Sequence, residues 1–105
     1  MNNTISALFA ASLIGIAGAA FAIEEKVEQV CAACHGKSGN ESVTPDTPKL
    51  GGQPADYLEK ALRDYKSGAR NNPIMSAMTA DLSKEDIRAL ARYFHNQPSE
   101  LSYRY

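Results

Sequence analysis

The sequence predicts a small all-α domain behind an apolar leader, and three observations carry that reading. Apolar side chains recur at helical spacing in three separate stretches. The segments between them are rich in Gly, Pro, Asn and Ser, with no alternating run that would write a strand. The chain has 105 residues, enough for one domain. Its 11 Lys and Arg against 12 Asp and Glu leave a formal net charge of -1. That balance excludes a nucleic-acid binder, which needs a basic stripe to displace counterions from phosphate. No block of like charge marks a disordered tail, and no internal repeat or low-complexity segment is present.

The leader comes first. Residues 1–22 carry no charged side chain and 15 of them are apolar. Ala20-Phe21-Ala22 places small residues at the first and third positions of a cleavage triplet. We read residues 1–22 as a secretory signal peptide and residues 23–105 as the mature domain. The opening Met1-Asn2-Asn3-Thr4 departs from the pattern in having no Lys or Arg. A retained membrane anchor is the alternative, since Ile5 to Ile23 approaches the ~20 residues that span a bilayer. The Ala and Gly content of the stretch makes it only mildly apolar, which favours cleavage.

Each helix of the mature domain has its own signals. The first is predicted from Ile23 or Glu24 to Cys34, with Val27, Val30, Cys31 and Cys34 on one face. Glu24, Glu25 and Glu28 complement its dipole, and Gly36 and Gly39 stop it. Lys37 to Gln53 reads as an irregular loop. Pro54 opens the second helix. Leu58, Ala61, Leu62 and Tyr65 form its apolar face, and Gly68 ends it. Ala69 to Ala80, with Asn71-Asn72-Pro73, reads as a second loop. The third helix starts at Ser83 as N-cap, with Asp86 in the place of a capping-box acid and Leu82 and Ile87 as a staple. Ile87, Leu90, Ala91 and Phe94 are its buried face, and Gln97-Pro98 ends it. The tail from Ser99 is expected to be loosely held. A mature domain near ~80 residues builds only a marginal core and often needs a staple. Cys31 and Cys34 can close at most a tiny ring, so something else is expected to fill the core.

Cys31-Ala32-Ala33-Cys34-His35 is the one motif that carries chemistry. C-x-x-C-H is the attachment sequence for c-type haem. Two thiols three residues apart on a helical turn can add across the two vinyl groups of one porphyrin. The His that follows can then bring Nε2 to iron. Export fits, because covalent haem attachment belongs outside the bacterial cytoplasm. Three plainer readings compete. A thioredoxin-like pair wants a βαβ framework, which is not visible. A zinc site needs four ligands, and only Cys31, Cys34, His35 and a distant His95 exist. A disulfide across two residues would stabilise little.

A six-coordinate iron needs a second axial ligand. His95, near the end of the third helix, is expected to meet that helix's last carbonyls instead. Met75 and Met78 are the better candidates, because they lie in a loop otherwise poor in large apolar residues. Pro73 fixes its own φ and biases Asn72 away from helix, so the approach to Met75 is stiff and extended. A stiff approach suits a ligand. Met78, close to Leu82, suits a flexible apolar filler.

Taken in order, the motifs resemble class I c-type cytochromes, especially the short bacterial single-haem members and the halves of bacterial di-haem cytochromes. The likeness runs through Cys31-Ala32-Ala33-Cys34-His35-Gly36, Gly39-Asn40, Pro48-Lys49-Leu50-Gly51-Gly52-Gln53, Tyr57-Leu58 and Gly68-Ala69-Arg70-Asn71. Met75-Ser76-Ala77-Met78 and Leu82-Ser83 through Tyr93-Phe94 complete it. The resemblance implies three to four helices wrapped around one covalently bound haem c and its iron, with the first and last helices meeting. It implies that the Pro48 carbonyl accepts a hydrogen bond from His35 Nδ1, and that the first Met of the Met-x-x-Met pair, Met75, binds iron. Leu50, Tyr57, Leu58, Leu62, Leu90 and Phe94 would wall the haem.

Those implications describe a periplasmic one-electron carrier rather than an enzyme. His and Met ligation raises the reduction potential, and with both axial positions filled no site is open to oxygen or peroxide. Donor and acceptor redox proteins would dock briefly at a small patch around the haem edge, and the domain is expected to act as a monomer. Lys37, Lys49, Lys66 and Arg70 are candidates to ring that edge. Two alternatives stand: an electron-accepting haem subunit of a larger dehydrogenase, and a haem-based ligand sensor with a displaceable Met.

Overall fold

The computed structural model describes residues 22–99. The leader other than Ala22, and the tail beyond Ser99, lie outside the described residues. Among the described residues there are four helical segments and no strand, and no helix is long and apolar enough to cross a membrane. We label the segments α1 (residues 22–35), α2 (Ala55–Ser67), α3 (Pro73–Thr79) and α4 (Lys84–His95).

α1 is not a uniform helix. Val27–Cys31 forms a π turn, in which the Ala32 amide reaches back to the Val27 carbonyl, before Ala32–His35 returns to α-helix. The wider turn changes which side chains face inward. Val27 is fully buried and Cys31 half-buried, but Cys34 is exposed. The single apolar face expected from Val27 through Cys34 is therefore broken at its last member.

α2 and α4 follow their sequence signals. Pro54 precedes α2, and Gly68 ends it in the left-handed region at φ 87°. Ser83 and Asp86 cap α4 reciprocally. The Ser83 amide donates to Asp86 Oδ2 and the Asp86 amide to Ser83 Oγ, both at 3.0 Å. The staple residues Leu82 and Ile87 are buried beside them.

α3 corrects the expectation of an open loop from Ala69 to Ala80. Pro73 occupies the first helical position, and Asn72 is its N-cap, accepting from the amides of Ile74 and Met75 at 3.0 Å each. Asn72 is extended, at φ -156° and ψ 115°, as a residue before proline should be. The same Asn-Pro pair that stiffens the approach also nucleates a two-turn helix.

The core is small: Val27, Leu58, Leu82, Ile87, Leu90, Ala91 and Phe94. α2 packs against both α3 and α4. α1 joins through Val27, with Ile23 and Cys31 packed on the cluster. An ion pair from Lys26 to Asp86, 3.6 Å long, ties α1 to the first turn of α4. Among the described residues, seven buried apolar side chains are a thin core for a domain of this size, in line with the expectation that a further apolar group completes it.

Candidate haem site

His35 ends α1 and is 6% exposed. Its Nδ1 lies 2.8 Å from the Pro48 carbonyl. A carbonyl can only accept, so Nδ1 carries the proton, and in the neutral ring Nε2 keeps a lone pair. Nε2 makes no hydrogen bond among the described residues. A buried imidazole with one nitrogen tied to a carbonyl and the other unpartnered is the usual setting of a metal-binding histidine. The donor set here therefore fits an iron porphyrin.

The backbone after His35 is folded tightly enough to hold Pro48 against it. Glu41 and Val43 amides donate back to the carbonyls of His35 and Cys34, at 3.1 and 3.0 Å, and the Leu50 amide donates to Gly39 at 2.7 Å. Gly39 has φ +79°, and a Cβ there would stand 2.9 Å from both Leu50 Cβ and Phe94 Cδ1. Only glycine lets the loop and α4 approach so closely. α4 also braces the loop from its C-terminal end. Tyr93 O–H donates to the Lys37 carbonyl at 2.9 Å, and its ring meets Phe94 edge-on at 5.1 Å. Burial pushes the Tyr93 phenol up, which keeps it a donor. The Gly52 amide donates to the Phe94 carbonyl, and Asn40 Nδ2 to the Pro98 carbonyl.

His95 belongs to this brace. Its Nδ1 donates to the Gln53 carbonyl at 2.8 Å, on the loop rather than on its own helix. The last carbonyls of α4 are met instead by the amides of Asn96 and Gln97.

On the other side, a small apolar cavity brings together Cys31, Leu62, Met75, Met78, Thr79 and Leu90, with Lys26 at its margin. Met75 is half-buried, whereas Met78 is 45% exposed. Thr79 is 1% exposed, and its hydroxyl donates to the Met75 carbonyl at 2.8 Å. Sequence reasoning passed over Thr79, because a threonine inside an assumed loop carries no signal. Of the expected wall residues, Leu58, Leu90 and Phe94 are buried, and Leu50 and Leu62 pack on the core. Tyr57 is exposed and stands outside that cluster.

Cys31 and Cys34 are both free thiols, and burial pushes Cys31 up to about 11. Among the described residues no three His, Cys, Asp or Glu side chains gather closely enough to hold zinc. The proposed ring of cations is also largely committed elsewhere. Lys37 pairs with Glu28 at 2.9 Å, Lys66 donates to the Leu82 carbonyl, and Arg70 stacks 4.8 Å over the Tyr65 ring.

A helical domain whose C-x-x-C-H turn ends in a carbonyl-tied, buried histidine is the arrangement of a c-type cytochrome, and the comparisons agree. Residues 18–94 match the family described as cytochrome c oxidase, cbb3-type, subunit III. The chain is 42% identical over 84 residues to cytochrome c-554(548) of Halomonas halodenitrificans, covering 77% of this chain and 99% of that one. It is 40% identical over 94 residues to a thiosulfate dehydrogenase electron acceptor of Thiomonas intermedia, covering 90% of this chain and 43% of that one. The crystal structure of reduced cytochrome c4 from Pseudomonas stutzeri superposes with a TM-score of 0.65 at 33% identity, over 77% of this chain and half of that chain. The chain spans about half the length, or less, of the first curated relatives it matches. It belongs to the class I c-type cytochrome family, whose cofactor is a covalently bound haem c with its iron.

Proposed function

We propose that the protein is an exported one-electron carrier, with Cys31 and Cys34 holding haem c covalently and His35 Nε2 and Met75 Sδ as the axial donors. The observation that carries this reading is the His35 imidazole, buried, with Nδ1 given to Pro48 and Nε2 left over. Bound haem c supplies the redox couple, its iron taking up and releasing one electron. The chain's own residues do the rest. The Pro48 carbonyl orients the imidazole and raises its basicity. Leu58, Leu62, Leu90 and Phe94 supply an apolar wall that favours the less charged reduced state. Met75, half-buried on a capped helix, is the better placed of the two sulfurs, and Met78 serves as packing. Cleavage after Ala22 would release residues 23–105 into the periplasm as a monomer. Redox proteins are its partners, docking briefly at the haem edge.

The relative named a thiosulfate dehydrogenase electron acceptor favours one second reading. In it, this domain takes electrons directly from a dehydrogenase with which it associates. Co-purification with such an enzyme would separate that reading from free diffusion between partners.

Spectra of the purified holoprotein test the ligand set. Met75→Ala should abolish the weak far-red sulfur-to-iron band of the oxidised protein, lower the reduction potential and open the iron to carbon monoxide. Met78→Ala should keep the band. The assignment fails if the band survives in the Met75 variant and vanishes in the Met78 variant.

A further inference from the structure

Among the described residues, Met75 is the one residue of α3 whose own amide and carbonyl are both held by side chains. Asn72 Oδ1 accepts from its N–H at 3.0 Å, and Thr79 Oγ1 donates to its carbonyl at 2.8 Å. Met78, one turn on, has neither tie among the described residues. Asn72 also accepts from Ile74, as any N-cap does. Thr79 makes the back-bond to the i−4 carbonyl that a helical threonine often makes, which by itself gains the helix little. Here the hydroxyl is nevertheless buried, at 1% residue exposure, on the wall of the cavity that Met75 and Cys31 share. It also reaches toward the Ser76 carbonyl at 3.4 Å, so it spans the turn that carries Met75. The Leu82 amide in turn donates to the Thr79 carbonyl, which links this turn to the residue that staples α4.

We infer that Thr79, with Asn72, is a positioning residue for the Met75 sulfur. The two side chains clamp the Met75 peptide from both ends, so the thioether is presented from a fixed backbone on an otherwise short and exposed helix. A side chain presented from a pre-ordered backbone loses less entropy on binding. This inference rests on Met75 being the axial donor.

The test is the competition between Met75 and added imidazole in the oxidised holoprotein. Thr79→Val keeps the shape and removes the hydroxyl. It should bind imidazole roughly fivefold or more tightly than the parent, the change one lost hydrogen bond brings, and weaken the far-red band. Thr79→Ser keeps the hydroxyl and should restore the parent's affinity. Asn72→Ala removes the other tie and should move affinity the same way, which keeps the test decisive if Thr79→Val retains no haem. A merely stabilising threonine would lower the melting temperature and leave imidazole affinity unchanged; that result overturns the inference. So does Thr79→Ser behaving like Thr79→Val, which would make the methyl group the cause. Met75→Ala separates the two layers. If that variant keeps the far-red band, the ligand assignment has failed. If it loses the band while Thr79→Val and Asn72→Ala bind imidazole as the parent does, only the positioning role has failed.

Discussion

Residues 36–53, on the His35 side, contain no helix and no strand, while residues 68–82, on the Met75 side, are half helical. Regularity would suggest that the second segment is the firmer. The contacts say the reverse. The irregular loop is tied to α1 by the Glu41 and Val43 amides, to α4 by Tyr93, His95 and Gly52, and to Pro98 just past α4 by Asn40. α3 rests mainly on α2, and leaves Ile74 62% and Met78 45% exposed. Local stability follows from long-range ties and buried contacts, not from helical backbone as such. The difference suits the two proposed donors. An imidazole one residue beyond Cys34, the proposed covalent anchor, would be held by the architecture, whereas a thioether on a short exposed helix would depend on its immediate neighbours.

Two glycines give the largest contrast between the regions. Gly39 and Gly68 have similar positive φ, 79° and 87°, but a Cβ at Gly68 would meet nothing within 4 Å. Gly68→Ala should therefore cost only the backbone penalty, ~1 kcal/mol. Gly39→Ala should add overpacking against Leu50 and Phe94, a further ~1–3 kcal/mol. Chemical unfolding of the two holoprotein variants checks this, and equal losses would break the comparison. A smaller effect is expected from Tyr93→Phe. It keeps the edge-on ring contact and removes the bond to the Lys37 carbonyl, at ~0.5–1.5 kcal/mol. Hydrogen exchange should quicken at the amides of residues 39–43 and leave α3 unchanged.

The smallest effect concerns acid. The Ser83 amide, then its hydroxyl and the Lys26 ammonium, hold the Asp86 carboxyl below its ordinary value, against a partial burial that opposes them. A carboxyl lowered in the folded state contributes stability above the ordinary carboxylate range, near pH ~4. That contribution is lost as pH falls through the folded value. Asp86→Asn should lose ~0.3–1 kcal/mol near neutrality and show a shallower loss below pH ~4 than the parent. Because α4 braces the His35 loop, the acid effect should appear there before it appears in α3.

Much of this was legible in the residues. α2 and α4 are written by apolar spacing, by Pro54, Gly68 and the Ser83–Asp86 cap, all local signals. Cys31 through His35 announced the cofactor by spacing alone. α3 was misread because seven residues give too little periodicity, and because Asn72-Pro73 signals both a stiff turn and a helix start. The π turn at Val27–Cys31 has no sequence signature that we can name, and it moved Cys34 off the buried face. The bonds from Tyr93 to Lys37 and from His95 to Gln53 join residues 56 and 42 positions apart. No local pattern encodes such partners. They appear only once the chain is folded.

The close approach at Gly39 also has a consequence for how sequences of this kind can drift. Between His35 and Pro48 the distance along the chain looks free to vary, since both ends are anchored. It is not free at its beginning, where Gly36 and Gly39 are pressed against Glu41, Leu50 and Phe94. Slack exists only at the outer bend, where Thr44, Pro45 and Asp46 are exposed. Insertions and deletions should therefore be absorbed at residues 44–46 and rejected at 36–43. The count of residues from Gly39 back to His35 behaves as a fixed ruler, and the count forward to Pro48 as an adjustable one.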